Sequence, residues 1–259
     1  MTSMQDKATQ ALLAWYAAMG ADEAIGETAV DRFAPPAPSP PPAPPRAEPR
    51  PRSAQGRPQA EAGRPSAVDP HRAATLAELE AMARAFDGCT LKRTAKSLCF
   101  ARGREDAPIM LIGEAPGRDE DLKGKPFVGR AGQLLDRMLA AIGLTEEQVY
   151  ITNTVYWRPP GNRTPTPEEV EACAPFLARQ IELVSPRMLV LLGGAAAKNI
   201  LGVTEGIMRL RGKRFIYPCA GRDIATLPTL HPAYLLRSPE HKRLAWRDLL
   251  LVKERLEAQ

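Results

Sequence analysis

Half of the prolines of this 259-residue chain fall in one segment, and that segment limits how much of the chain can fold. Thirteen of the 26 prolines lie between Pro35 and Pro70, in a stretch with no aromatic and almost no aliphatic side chains. Such a stretch cannot bury enough apolar surface to offset the entropy lost on ordering. The chain is therefore predicted to divide into an N-terminal region (1–34), a Pro/Ala-rich disordered linker (35–70) and one well-buried domain (71–259).

The N-terminal region carries a short amphipathic pattern, in which Leu12, Leu13, Trp15, Tyr16 and Met19 are the large apolar residues. It is too weakly apolar, and too quickly followed by acids, for a signal peptide. A helix here could dock on a protein partner or fold back on the domain, and the sequence does not decide between the two. No apolar run approaches the length of a transmembrane helix, so no membrane partner is expected.

Charge and cysteine content narrow the class of protein only slightly. The formal net charge of +5 suits a polyanionic partner such as nucleic acid without requiring one. The four cysteines (Cys89, Cys99, Cys173, Cys219) fall at irregular spacings. That pattern does not indicate a disulfide scaffold, and it favours buried thiols in a reducing cytoplasm.

Within 71–259 the chain alternates between helical patterns and short apolar runs. Helices are predicted over 73–86, 131–144, 166–184, 195–202 and 238–259, and strands over 109–112, 148–155 and 187–194, with a hairpin and a last strand within 208–232. The strand patterns lack polar alternation, as expected when helices cover both faces of a parallel sheet. The predicted fold class is therefore α/β, a parallel sheet sandwiched between helices.

Three polar segments follow predicted strands and so fall at the carboxyl edge of the sheet, where α/β proteins build their sites. They are GEAPGRDEDLKGKPFVGRAG (113–132), Asn153 with VYWRPPGNR behind it, and LHPAYLLR (230–237). The first matches neither G-x-G-x-x-G nor a phosphate-binding loop with Gly-Lys-Ser/Thr, and its acids would repel phosphate. A nucleotide cofactor is therefore not expected.

The acids of the first segment allow two interpretations, a metal site and a solvent-exposed loop. Glu114, Asp119, Glu120, Asp121 and His231 could assemble the oxygen-rich metal site of a nuclease. The same Asp-Glu-Asp run could instead be a solvated loop surface.

Aromatic, amide and basic residues share the same edge of the sheet. Phe127, between Gly-containing turns, is either a plug over the core or a stacking plate for a flat ligand. Each arginine of the loops is either a phosphate contact or a solvated charge. Together they would suit a flipped-out base beside a phosphate backbone; the residues concerned are Phe127, Asn153, Arg158, Arg163, His231 and Arg237.

The three blocks GEAPGRDEDLKGKPFVGRAGQLL, YITNTVYWRPPGNRTP and HPAYLLRSP resemble, in order and spacing, the signature blocks of the family 4 uracil-DNA glycosylases. The resemblance covers Cys89 to the C-terminal helix and leaves out the N-terminal region and the linker. It implies a three-layer α/β/α sandwich around a four-stranded parallel sheet. It also implies hydrolysis of the N-glycosidic bond of deoxyuridine in DNA, which leaves an abasic site for base-excision repair and needs no metal in the chemistry.

The resemblance also implies a role for each matching residue. Phe127 would stack on the extruded uracil, Asn153 would read the pyrimidine edge, and Glu120 would guard C5 against the thymine methyl. His231 would stabilise charge on the leaving base at O2, and Glu114 would place or activate the water. The remaining site residues are Ala115 at the base, Leu235 or Leu236 as the wedge, and Arg158, Arg163, Tyr234 and Arg237 along the DNA.

This chain departs from the resemblance at the iron–sulfur cluster, which most members hold with four cysteines. Cys89 and Cys173 match the second and fourth of those positions, while Phe86 and Trp157 stand at the first and third. A [4Fe–4S] cluster normally takes four thiolates, so neither a cluster nor another metal is expected.

A rival function is a uracil-DNA-binding or product-trapping module with the same fold and no efficient turnover. Product-trapping relatives carry a basic, His-containing insertion after the second block. Here RPPGNRTPTPEEV is short and has no histidine, which favours turnover. The expected protein is a monomeric, cytoplasmic enzyme whose partner is uracil-containing DNA, with residues 1–34 available to a protein partner.

Overall fold

The computed structural model describes residues 68–257. The expectations for the N-terminal region and for the linker up to residue 67 lie outside the described residues. Val68 packs against the core, and Pro70 is buried at the start of a short 3-10 helix, Pro70–Arg72. Packed structure thus begins within the last three residues of the predicted linker. Among the helices of residues 68–257, none is long and apolar enough to cross a membrane.

The centre of the fold is one mixed sheet of six strands. They are β1 (Arg102–Gly103), β2 (Ile109–Gly113), β3 (Val149–Asn153), β4 (Met188–Leu192), β5 (Phe215–Cys219) and β6 (Arg222–Thr229). Their order is β1-β3-β2-β4-β6-β5, and the four central strands pair in parallel. The predicted α/β fold and its parallel centre are confirmed.

The strand count of four was too low because each edge carries one short antiparallel strand. β1 has only two residues, too few to leave a periodic pattern in the sequence. At the other edge β5 pairs antiparallel with β6, so the predicted hairpin and the predicted last strand are one unit. β5 is half exposed and contains Pro218, as expected of an edge strand.

Eight α-helices lie within residues 68–257. They are α1 (Leu76–Ala85), α2 (Arg118–Lys123), α3 (Arg130–Ala141), α4 (Pro167–Val184), α5 (Gly194–Leu201), α6 (Ile207–Leu210), α7 (Pro232–Arg237) and α8 (Lys242–Glu257). Thr75 and Thr166 cap α1 and α4 through capping boxes with Glu78 and Glu169. The sequence pattern predicts a loop over 113–132, but the structure has helix α2 within it. The Asp-Glu-Asp run is therefore helical.

Alternate residues of the buried strands supply two separate cores, one on each face of the sheet. Met110 and Ile112 of β2 point into the core formed with α1, α4 and α5. Ile109 and Leu111 point into the other core, with α3 and α8. All five residues of β2, β3 and β4 are buried, which explains why these strands appear as unbroken apolar runs.

A buried ion pair fixes the end of β6, directly before the third polar segment. Asp248 of α8 is 1% exposed and pairs with Arg211, whose Nε donates at 3.0 Å. The Thr229 hydroxyl donates to the same carboxylate at 2.7 Å. Burial nevertheless raises the pKa of Asp248, so these partners are needed to keep the carboxylate charged.

We expect Asp248→Ala to destabilise the domain by about 3–5 kcal/mol, because it leaves the Arg211 guanidinium without its buried partner. The unfolding temperature should fall by roughly 10 °C in a thermal melt. The double variant Arg211→Met/Asp248→Leu should recover most of the loss, since it removes both charges. An unchanged melt for Asp248→Ala would contradict this account.

Candidate active site

A cavity of about 430 Å³ opens at the carboxyl edge of the sheet, where the three polar segments meet. Nine of the twelve residues proposed for the site line it: Glu114, Ala115, Glu120, Phe127, Asn153, Arg163, His231, Tyr234 and Arg237. Arg158, Leu235 and Leu236 do not. Residues up to 123 chain positions apart, Glu114 and Arg237, are thus brought to one place by the order of the parallel strands.

Asn153 ends β3 and faces the cavity from its floor. The residue is 1% exposed, and its Oδ1 has no hydrogen-bond partner among the described residues. A buried acceptor without a partner is costly unless a ligand supplies the donor. Thr154, next along the chain, donates its amide to the carbonyl of Gly113 at 2.9 Å and its hydroxyl to that of Glu114 at 2.7 Å. These bonds hold the first and second segments together.

Phe127 lies beside Asn153 in a strained backbone conformation. Its φ is +54°, in the left-handed region that side chains rarely adopt, and its ring is almost fully buried. Gly132 makes this possible, because a Cβ there would overlap the backbone of Phe127. The Phe127 and His231 rings are 5.6 Å apart between centroids and tilted by 31°. Strain of this kind often marks a functional position.

His231 is held as a neutral imidazole with a defined tautomer. The Ala233 amide donates to His231 Nδ1 at 3.1 Å, so Nδ1 carries no proton. Burial, assisted by the charge of Arg237, lowers the pKa of His231 to about 4. At neutral pH its one proton is therefore on Nε2, and the ring can donate a hydrogen bond from that atom.

Two acids of the first segment, Glu120 and Asp121, bind backbone amides in different parts of the structure. The Glu120 carboxylate accepts from the amides of Gly117, Val128 and Gly129 at 2.9–3.1 Å, which ties the start of α2 to the loop after Phe127. Asp121 is buried and accepts from the amides of Lys96 and Ser97 at 2.8 and 3.1 Å. Within residues 68–257 no three His, Cys, Asp or Glu side chains are placed to bind a metal ion.

The arginines of the second segment are engaged with protein groups. Arg163 forms two hydrogen bonds to Glu169, at 2.7 and 2.8 Å, which lower the pKa of that carboxyl to about 2. Arg158 donates to Asn162 Oδ1 at 2.7 Å. Arg163 therefore braces the rim of the cavity through its bonds to Glu169. Arg237, by contrast, is exposed on α7.

The two leucines proposed as alternative wedges differ in the structure. Leu235 is 1% exposed and packs with Leu134, Leu230 and Ala245, so it cannot leave the core to enter DNA. Leu236 is only half buried. Of the two leucines, only Leu236 therefore has a partly exposed side chain.

Comparisons with known proteins point to one family. A family model, the uracil DNA glycosylase superfamily, matches residues 100–250. The type-4 uracil-DNA glycosylase of Archaeoglobus fulgidus is 47% identical over 156 residues, which are 59% of this chain and 78% of the relative. Those of Saccharolobus solfataricus and Thermotoga maritima are each 42% identical, over 66% and 62% of this chain and 82% and 84% of the relatives.

The chain belongs to the type-4 uracil-DNA glycosylases. The resemblance inferred from the three blocks is confirmed. All the residues that line the cavity lie within the three blocks. The sequence likeness to the family is therefore concentrated in the segments that form the site, at one edge of the sheet.

The side chains at the family's cluster positions do not fit a [4Fe–4S] cluster. Cys89 and Cys173 are both buried, and the neighbouring Cys173 thiol lowers the pKa of Cys89. The Phe86 ring covers Gly88 and lies 5.0 Å from the Phe176 ring. Trp157 is 3% exposed and meets Tyr156 edge-on. Aromatic packing thus occupies two positions where a cluster needs thiolates.

Several residues that matter for the site were missed in the sequence. Glu169 anchors Arg163, and its capping box with Thr166 was the available signal. Asn162 and Thr164 line the cavity without any chemical signature that would single them out. Gly113 looks ordinary in the sequence, yet a Cβ there would lie 2.5 Å from the Phe127 ring and would also overlap the Asn153 amide.

We expect Gly113→Ala to fold but to lose about a hundredfold or more in uracil excision, because displacing a site group by about 1 Å can cost that much. Single-turnover excision on a uracil oligonucleotide would measure it. Gly206→Ala is the matched control, since a Cβ at Gly206 meets no atom of residues 68–257 within 4 Å. Equal rates for the two variants would show that Gly113 is not needed for close approach.

Proposed function

We propose that this chain is a uracil-DNA glycosylase that extrudes deoxyuridine from DNA and hydrolyses its N-glycosidic bond, leaving an abasic site for base-excision repair. The observation that carries the proposal is the buried, unpartnered Oδ1 of Asn153 on the floor of a cavity of about 430 Å³. Such an acceptor needs a donor from a ligand, and N3–H of uracil is a donor of the right kind. Membership of the type-4 family supports the same conclusion.

Asn153 would distinguish uracil from cytosine through its two amide atoms. Oδ1 would accept from N3–H, and Nδ2 would donate to O4. Cytosine has an unprotonated N3 and an amine at C4, so both pairs would fail and a buried polar group would be left unsatisfied. Phe127 would stack on the face of the base, because its ring is already held beside Asn153 by Gly132 and Gly113.

Glu120 would distinguish uracil from thymine. Three backbone amides fix its carboxylate at the wall of the cavity. It cannot rotate away without breaking those bonds, so a methyl group on C5 would meet a rigid, charged surface. Ala115, also in the wall, has a small side chain and leaves room for the base.

His231 would stabilise the leaving group. As the bond from C1′ to N1 breaks, its electron pair moves onto the base and negative charge grows on O2. The Nε2–H of a neutral His231 can donate to that oxygen. Because the pKa of His231 is about 4, the ring is neutral at pH 7. It therefore stabilises the uracilate by donating a hydrogen bond and not as a positively charged imidazolium.

Glu114 would act on the sugar side of the cavity. Its carboxylate would orient a water toward C1′ and accept the proton as the water adds. Its negative charge would also stabilise the oxocarbenium-like sugar. The hydroxyl of Thr154 fixes the backbone of Glu114, so this residue approaches the cavity from a defined direction.

The DNA would be held along the rim of the cavity. Leu236 would fill the gap left by the extruded base, with Leu235 packed beneath it as support. Arg237, Arg158 and Tyr234 would contact the backbone. Arg163 would contribute as a brace of the rim and as part of its positive potential, because Glu169 already occupies its guanidinium.

The remaining features of the proposal concern cofactors and partners. The chain would work without an iron–sulfur cluster, since Phe86 and Trp157 occupy two of the ligand positions. It would act as a monomer in the cytoplasm, where its DNA is found. Residues 1–34 would offer a docking element to a protein partner.

One assay separates the proposal from its rivals. End-labelled single- and double-stranded uracil DNA is incubated with the protein, with and without EDTA, and is analysed before and after treatment with alkali. Cleavage that requires alkali identifies a glycosylase. Direct nicking that EDTA abolishes would identify a metal nuclease, and retarded but intact DNA would identify a binding module.

We expect His231→Ala to lose about 10²–10³ in excision rate while still binding uracil DNA, because one donor to a developing anion is removed. The wild-type rate should show no inflection near pH 6.5, since His231 stays neutral until the pH falls to about 4. Stopped-assay rates from pH 5 to 8 measure both effects. The exposed His71 supplies the control variant His71→Ala. A titration near pH 6.5 that disappears in His231→Ala would contradict the neutral imidazole.

We expect the protein to contain no iron–sulfur cluster. Freshly prepared anaerobic protein should lack broad absorbance near 400 nm and should contain no stoichiometric iron or sulfide, and chelators should leave excision unchanged. The companion variant Phe86→Cys/Trp157→Cys, which restores four thiols, tests whether the same preparation can load a cluster. Stoichiometric iron and sulfide in the wild type would overturn this prediction.

A further inference from the structure

A second depression, here called the Trp246 groove, lies on the other side of α7 from the cavity. It has a volume of about 310 Å³ and is formed by α3, α7 and α8. Its apolar wall includes Leu134, Met138, Leu236 and Leu249. Trp246 is 42% exposed at this groove, an unusual position for so large an apolar side chain.

The charged side chains that line the Trp246 groove are all basic. They are Arg137 on α3 and Lys242 at the start of α8, and no carboxylate from the described part of the chain lines the groove. Among residues 68–257 neither side chain forms an ion pair, in contrast to Arg102, Arg163 and Arg211. An aromatic face between two uncompensated cations is the combination that binds a nucleobase and its phosphates.

α7 separates the groove from the cavity and presents a different face to each. Tyr234 and Arg237 line the cavity, whereas Leu235 and Leu236 line the groove. The wedge proposed above, Leu236, therefore stands on the boundary between them. DNA that receives this side chain in its stack must pass over both depressions.

We propose that the Trp246 groove binds a second nucleotide of the substrate DNA, with its base on the Trp246 ring and its phosphates against Arg137 and Lys242. The inference rests on the proposed function, because it uses the position of the wedge. The nucleotide is either the one opposite the extruded uracil, which only duplex DNA has, or the neighbour of the uracil on its own strand, which single- and double-stranded DNA both have. In both cases Leu236 has broken the stack that held it.

The groove suits a nucleotide better than a protein surface or a second copy of the chain. Ten residues line it, whereas a stable protein interface takes about 20–30 residues a side. The two cations without a carboxylate match phosphate and offer nothing to a like-charged copy of the same groove. The chain as a whole also carries a net charge of +5, which opposes self-association through a basic face.

The first test removes the aromatic ring. Trp246→Ala should raise KM for uracil DNA about tenfold, a value within the range for losing one base–aromatic stack, with kcat little changed. Trp246→Phe should restore most of the loss. Leu250→Ala is the control, because Leu250 is an equally exposed apolar residue of α8 that does not line the groove.

Comparing single-stranded with double-stranded substrate identifies the nucleotide. A defect of Trp246→Ala on both substrates supports the neighbour on the uracil strand. A defect on duplex alone supports the nucleotide opposite the uracil. Wild-type KM on both substrates overturns the proposal, as does a loss confined to kcat or one accompanied by a lower unfolding temperature.

The second test concerns the phosphates and does not depend on the ring. Lys242→Glu should reduce the slope of log KM against log salt by about 0.7–0.9, the change expected for one lost phosphate contact. Lys253→Glu makes the same charge change on α8 outside the groove and should leave the slope near that of the wild type. Equal slopes for the two variants would overturn the phosphate contact.

Two further measurements distinguish the groove proposal from a failure of the proposed function and from self-association. If wild-type protein forms no abasic sites, the proposed function fails, whereas an active wild type with equally active groove variants defeats the groove alone. Light scattering of the wild type and of Trp246→Ala tests self-association. A concentration-dependent dimer that Trp246→Ala dissolves would assign the groove to a second copy and overturn the nucleotide proposal.

Discussion

The parallel pairing of β2 with β3, which sets Gly113 opposite Asn153, is the contact on which the site depends. Both strands end at this pair, so the segments that follow them leave the sheet side by side. Thr154 then bonds to the backbone of Gly113 and Glu114, and the missing Cβ of Gly113 admits the Phe127 ring. A one-residue shift in register would turn Asn153 toward the opposite face of the sheet and would remove the floor of the cavity.

The parts of this arrangement that could be predicted from the sequence are those that depend on residue type and order. β2, β3 and β4 are buried on both faces, so each leaves an unbroken apolar run that marks a parallel strand. Once the strands are parallel, the segments after them must meet at one edge, which is why Glu114, Asn153 and His231 could be grouped correctly. The resemblance to the family rests on the same three segments.

The parts that could not be predicted depend on where a side chain points and what it touches. Leu235 and Leu236 are identical in type, and only the packing of α7 on α3 and α8 decides which is buried. The sequence shows that Glu120 and Asp121 are acidic but not that both accept backbone amides. Two-residue β1 forms because β3 offers it an edge, an effect of tertiary structure that no local pattern contains.

The loop of the second segment is braced by aromatic packing and by charge. Trp157 and Phe86 fill apolar space, the Arg163–Glu169 pair spans the loop, and Thr90 donates to the same carboxylate at 3.2 Å. Because the folded pKa of Glu169 lies near 2, below its ordinary 4.5, the pair stabilises the fold fully above pH 4.5 and loses that effect only as the pH falls toward 2. A brace of this kind does not respond to oxidants or chelators, which attack iron and sulfide.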